Sequence, residues 1–110
     1  MPSIEIEQNE SRAVVTLREP LTSALALNLR PRLQELIAKG ATYVVMDLSS
    51  VDLVDSSGIG LLIATRNSLA RVGGDMSIVG ASSEIKQLFQ LMRLDRHFEI
   101  GEKPGLGSPS

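Results

Sequence analysis

The apolar residues of this 110-residue chain change their spacing several times, and each spacing predicts an element. Alternation in IEIEQ (4–8) and the branched run AVVTL (13–17) predict two antiparallel strands joined by a polar hairpin connection. The continuous apolar run YVVMDL (43–48) is typical of a strand that is covered on both faces. Two shorter runs, MSIVG (76–80) and HFEI (97–100), predict the remaining strands.

Three segments between these strands place their apolar residues at helical spacing. The first helix should begin near Thr22, which can cap it, and end at Gly40, with Pro31 causing a bend or an irregular first turn. The second should run from Gly58 to Val72, and the third is ASSEIKQLFQLM (81–92) with Ser82 or Ser83 as its cap. The predicted buried faces of the second and third helices consist of Ile59, Leu62, Ile63, Leu69 and Ala70, and of Ile85, Leu88, Phe89 and Met92.

This order of elements predicts a single α/β domain over residues 1–101, followed by a Gly/Pro/Ser-rich tail, 102–110, that should be disordered. Strands that alternate with helices imply a mixed, mostly parallel sheet, to which the N-terminal β-hairpin adds an antiparallel edge. We expect about three main helices to pack on this sheet.

Composition excludes several classes of function. Cysteine is absent, which excludes disulfides, thiol catalysis and thiolate metal sites. A net charge of −2 and an aromatic content of 3% provide neither a basic patch nor a stacking platform for nucleic acid. Because the N-terminus lacks a secretory signal pattern and no apolar run approaches the ~20 residues of a membrane span, we expect a cytoplasmic protein without membrane insertion.

The residues that could support catalysis are few. His97 is the single histidine, the glycines match no phosphate-binding loop, and no G-x-S-x-G motif is present. Asp47, Asp52 and Asp55 lie close in sequence and could hold Mg²⁺, although we favour the interpretation that they are solvated loop acids. We therefore expect neither an enzyme nor a bound metal or cofactor.

The segment VDSSGIG (54–60) joins the covered strand to the second helix and combines small hydroxyls with glycines. Asp55, Ser56 or Ser57 can cap this helix, and on residue chemistry alone we favour that interpretation. It does not explain why two serines are present, or why Gly58 and Gly60 occupy the first turn, where each costs about 0.5–1 kcal/mol relative to alanine.

Small residues on the outer face of this helix, including Gly60 and Ala64, offer an alternative interpretation. Another protein could dock flat against this face, or reach in and modify a serine. A phosphate at a helix N-terminus is stabilised by free N–H groups and by the helix dipole. Its charge of about −1.5 to −2 would change the docking surface without unfolding the domain.

The segments VVMDLS, VDSSGIG, GGDMSIVG and IKQLFQLMRLDRHFEI resemble a STAS domain, and most of all the bacterial anti-sigma factor antagonists. This resemblance implies that the unmodified protein binds an anti-sigma factor that is a serine kinase, and so frees the sigma factor. It also implies that the kinase phosphorylates Ser56, that the modified form dissociates, and that a metal-dependent serine phosphatase resets it. The protein would then be a substrate and a partner rather than an enzyme.

The same matching implies that Asp55, Ser57 and Gly58 belong to the partner surface, and we expect Ser57 to supply the structural cap. Many antagonists carry GELD before the first helix; here the stretch is EPLT, so Thr22 occupies the aspartate position and part of the partner contact should differ. The alternative function is a constitutive STAS scaffold subunit of another signalling module or of a lipid-transporting ABC complex. A nucleotide-binding domain is a third possibility, which no phosphate loop supports.

Overall fold

The alternating N-terminal segments form the antiparallel hairpin that their pattern predicts. In the computed structural model, which describes residues 2–94 and 99–101, β1 (Ile4–Asn9) pairs with β2 (Arg12–Leu17). Ile4 lies opposite Leu17 in this register, and both side chains are buried. The hairpin therefore buries one face and leaves the alternate side chains of β1 exposed, as a period of two requires.

The other strands are parallel and follow one another across the sheet. β3 (Tyr43–Asp47), β4 (Asp75–Val79) and β5 (Glu99–Gly101) extend the order to β1-β2-β3-β4-β5. Every residue of β3 after Tyr43 is buried, so side chains on both faces of this strand are shielded from solvent, as predicted. Residues 97 and 98 of the predicted last strand, and the predicted tail, lie outside the described residues.

Three helices connect the parallel strands: α1 (Ser23–Ala38), α2 (Ser56–Arg71) and α3 (Ser83–Leu91). Each leads to the next strand in the same direction across the sheet, so right-handed crossovers place all three on one face. The core lies between that face and the helices, and its fully buried side chains include Val15, Val44, Met46, Met76, Ile78, Leu29, Leu62, Leu69 and Phe89.

The helices differ from the predictions at Met92 and Ala70, and the first turn of α1 is regular, so the alternative of an irregular first turn is wrong. The helix α1 is uninterrupted at Pro31; the carbonyl that loses its donor there belongs to Leu27, whose exposure lets water replace the bond. Met92 is 48% exposed rather than buried, because α3 ends at Leu91. Ala70 is exposed because it lies off the buried stripe of α2.

Candidate functional site

The segments that precede α1 and α2 meet at the carboxyl edge of the sheet. Leu21 and Val54 form an isolated parallel bridge, in which the Leu21 N–H donates to the Leu53 carbonyl at 2.9 Å. The Asp55 N–H donates in turn to the Leu21 carbonyl at 3.2 Å. Because of this pairing, the two helix starts lie side by side, and Thr22 lies next to Asp55.

The cap of α2 is Asp55, whose extended backbone is typical of that position. Its Oδ1 accepts a hydrogen bond from the Gly58 N–H at 3.0 Å. Ser56 and Ser57 are the first two residues of the helix, both exposed, and neither hydroxyl bonds to another of the described residues. The prediction that Ser57 supplies the cap is therefore wrong, because the aspartate already occupies the N-cap position.

Thr22 occupies the N-cap position of α1, as predicted, but its side chain makes no capping hydrogen bond. Its carbonyl accepts the first helical bond, from the Ala26 N–H at 2.8 Å. The side chain is half-buried beside the start of α2. The structure thus brings Thr22 next to Asp55, while the prediction of a threonine side-chain cap is wrong.

The two glycines of the motif differ in their surroundings. A Cβ on Gly58 would lie 2.5 Å from the carbonyl oxygen and 2.7 Å from Cγ of Leu21, so the close approach of the two segments requires glycine. Gly60 is exposed, and apart from its chain neighbours and the backbone of its own helix no atom of the described residues lies within 4 Å of the position that its Cβ would take. Gly60 therefore leaves the helix tip open, as the interpretation of a small outer face expects, whereas Gly58 is buried against Leu21.

The predicted outer face of small residues is only partly exposed. Gly60 and Asn67 face outward, whereas Ala64 and Ser68 are half-buried and line a narrow gap between α1 and α2. Their small side chains let the two helices approach each other. Ala64 therefore lies against α1, and a partner reaches it only at the edge of this seam.

The three acids near the motif have different roles. Asp52 is exposed and Asp55 is half-buried, but Asp47 is only 6% exposed and its Oδ1 accepts hydrogen bonds from both N–H and Oγ of Ser49. The interpretation of Asp47 as a solvated loop acid is wrong, because it fixes the turn that leaves β3. Among residues 2–94 and 99–101, no group of three or more potential ligands is placed to hold a metal ion.

Two exposed leucines near the motif were missed by the sequence analysis. Leu27 on α1 is 76% exposed, and Leu53, whose carbonyl bonds to Leu21, is 54% exposed. The available signal for Leu27 was its position off the stripe formed by Leu25, Leu29 and Leu33. None of the helices in the described part of the chain is long and apolar enough to cross a membrane.

Comparison with known proteins identifies the family. Residues 3–105 match the family model of the STAS domain. The chain belongs to the STAS domain family. An anti-sigma-B factor antagonist of Bacillus subtilis is 26% identical to this STAS domain over 101 residues, which cover 92% of each chain.

Solved structures show the same STAS fold. A candidate anti-sigma factor antagonist of Thermotoga maritima superposes with a TM-score of 0.86 at 19% identity, covering 92% of this chain and 87% of that one. The Bacillus anti-sigma factor antagonist SpoIIAA gives TM-scores of 0.83 in its unphosphorylated form and 0.77 in its phosphorylated form. Each SpoIIAA form is 19% identical, and the matches cover 93% of this chain and 89% and 92% of SpoIIAA. The predicted fold class is confirmed.

Proposed function

We propose that this STAS domain is an anti-sigma factor antagonist. Its unphosphorylated form binds an anti-sigma factor serine kinase and so releases the sigma factor. Phosphorylation of Ser56 ends that binding, and a metal-dependent serine phosphatase restores the active form. The names of the relatives support the antagonist function, and SpoIIAA is a relative of the same fold with both an unphosphorylated and a phosphorylated form.

The observation that carries this proposal is that one residue at the start of α2 supplies the cap while another presents an unbonded hydroxyl. The Asp55 carboxylate caps the helix, and within residues 2–94 and 99–101 the Ser56 hydroxyl makes no hydrogen bond that phosphorylation would break. Ser56 is also exposed, which leaves its Oγ open to a kinase. A scaffold that never changes its state has no need of a free hydroxyl at this point, whereas a phosphoacceptor requires one.

The reaction is a phosphoryl transfer from ATP. The γ-phosphorus forms a bond to Ser56 Oγ while its bond to the leaving ADP oxygen breaks, and the hydroxyl proton passes to a base of the kinase. The product carries about −1.5 to −2 charge at pH 7. It lies beside the free N–H groups at the helix N-terminus, which stabilise an anion there.

The same charge opposes docking of the partner. Asp55 and the exposed Asp52 already contribute two carboxylates to the segment before α2, and the phosphate adds further negative charge there. A partner surface that is complementary to the neutral hydroxyl then meets a bulky, charged and hydrated group. We assign the contact surface to Asp55, Ser57, Gly60 and the adjacent Thr22. Gly58 contributes through its packing on Leu21, and Ala64 through the spacing of α1 and α2.

The test uses the purified protein, ATP and the anti-sigma factor kinase of its own host. Wild type should gain one phosphate, Ser57→Ala should gain one as well, and Ser56→Ala should gain none by intact mass. Full phosphorylation of Ser56→Ala would disprove the assignment. Ser56→Asp should bind the kinase at least about tenfold more weakly, and an unchanged Kd would contradict the charge mechanism.

A further inference from the structure

A groove opens between α1 and α2 immediately beside the phosphoacceptor. Its volume is about 450 Å³, and its lining consists of Ser23, Ala26, Leu27, Arg30, Ser57 and Gly60. Ser57 belongs both to this lining and to the exposed start of α2, so the groove is continuous with the surface around Ser56. A partner that covers Ser56 therefore also reaches the mouth of the groove.

Gly60 lines the α2 side of the groove, here called its floor, and the described part of the fold does not require glycine at this position. Its backbone is helical, its position is exposed, and the described residues leave the space of a Cβ empty. Alanine at such a position would stabilise the helix, because glycine loses more backbone entropy on folding. A glycine here is disfavoured for stability, and it widens the groove by one methyl group.

The α1 wall of the groove has an apolar and a cationic member. Leu27 is 76% exposed, and Arg30 one turn further on is exposed too. Within residues 2–94 and 99–101, the Arg30 guanidinium forms neither a hydrogen bond nor an ion pair. Among the described residues, this wall thus offers an exposed apolar side chain beside an unpaired positive charge, which is complementary to an apolar residue next to a carboxylate.

We infer that a segment of the anti-sigma factor kinase inserts an apolar side chain into this groove, over Gly60 and against Leu27. A carboxylate of the same segment pairs with Arg30. This inference rests on the proposed function and extends its contact surface from the tip of α2 along the seam with α1. The affinity for the kinase then depends in part on the groove, which the phosphate on Ser56 does not occupy.

The first test replaces Gly60 by alanine and separates binding from folding. The variant should raise the melting temperature by about 3 °C, because a helical glycine is removed without any clash. It should weaken kinase binding at least about fivefold, because the new methyl group overpacks the floor of the occupied groove. Asn67→Ala is the matched control: it lies two turns further along the same exposed face of α2 and should keep the wild-type Kd.

The second test replaces the two residues of the α1 wall of the groove. Leu27→Ser and Arg30→Glu should each weaken kinase binding about tenfold, whereas Leu91→Ser, a control leucine that is 82% exposed on α3, should not. If wild type binds the kinase but Gly60→Ala, Leu27→Ser and Arg30→Glu bind equally well, the groove inference is overturned and the proposed function stands. If wild type neither binds the kinase nor is phosphorylated at Ser56, both are overturned.

Discussion

Two helices of this protein begin with a pair of serines, and the two pairs have different structural roles. At the start of α3, in ASSE, Ser82 is the cap and its Oγ accepts a hydrogen bond from the Ile85 N–H at 3.2 Å. At the start of α2, in DSSG, Asp55 is the cap and accepts the equivalent bond from Gly58. Because the aspartate is the cap, both of the following serines lie inside the helix.

The comparison shows that the residue before the pair determines whether a serine hydroxyl forms the capping hydrogen bond. Where alanine precedes the pair, the first serine must satisfy a helical N–H and is held in place by that bond. Where aspartate precedes it, the cap is already supplied and the serine hydroxyls stay free. A helix start can therefore present a modifiable hydroxyl without weakening the helix.

The largest predicted effect concerns the third residue after each cap, which is glycine in α2 and isoleucine in α3. Gly58→Ala should lower the free energy of unfolding by about 3 kcal/mol, because its Cβ would collide with the backbone and side chain of Leu21. Urea unfolding followed by circular dichroism measures this. Gly60→Ala is the matched control and should raise the stability by about 0.5–1 kcal/mol. Equal stability of the two variants would show that α2 does not press on Leu21.

An intermediate effect is expected from removing each cap. Asp55→Ala and Ser82→Ala should each lower the free energy of unfolding by about 1 kcal/mol, because each leaves one helical N–H without its acceptor. Asp55→Asn should stay within about 0.3 kcal/mol of wild type, since asparagine caps as well as aspartate does. If Asp55→Asn were as damaging as Asp55→Ala, the carboxylate charge rather than the hydrogen bond would hold the start of α2.

The sequence predicted the elements and their order well, because the core depends on periodic apolar positions that are visible locally. It failed where two distant segments meet. The burial of Gly58 depends on Leu21, and the half-burial of Ala64 depends on the packing of α1 against α2. Neither contact leaves a periodic signal within one element, so both residues looked like exposed parts of a helix tip.

In the candidate site, too, the residue types could be predicted from the sequence, whereas the contacts between them could not. Ser56 was assigned by resemblance, and its exposure agrees with that assignment, but among three possible caps the sequence favoured Ser57, whereas the structure has Asp55. Asp47 was expected to be solvated because of its charge, yet it is the last residue of β3, and the turn folds the N–H and hydroxyl of Ser49 back onto it. The outcome in both cases depends on hydrogen-bond geometry, which residue type alone does not determine.

The smallest predicted effect tests the comparison most directly. It measures whether the hydroxyls of the paired serines of α2 contribute to stability. Ser56→Ala and Ser57→Ala should change the free energy of unfolding by less than about 0.5 kcal/mol, with a slight gain from the better helix propensity of alanine. Ser82→Ala, measured in the same urea series, provides the contrast. A loss of about 1 kcal/mol in Ser56→Ala would mean that its hydroxyl contributes to the helix start in solution. An unchanged stability, together with loss of the phosphate, would separate the function of Ser56 from the fold.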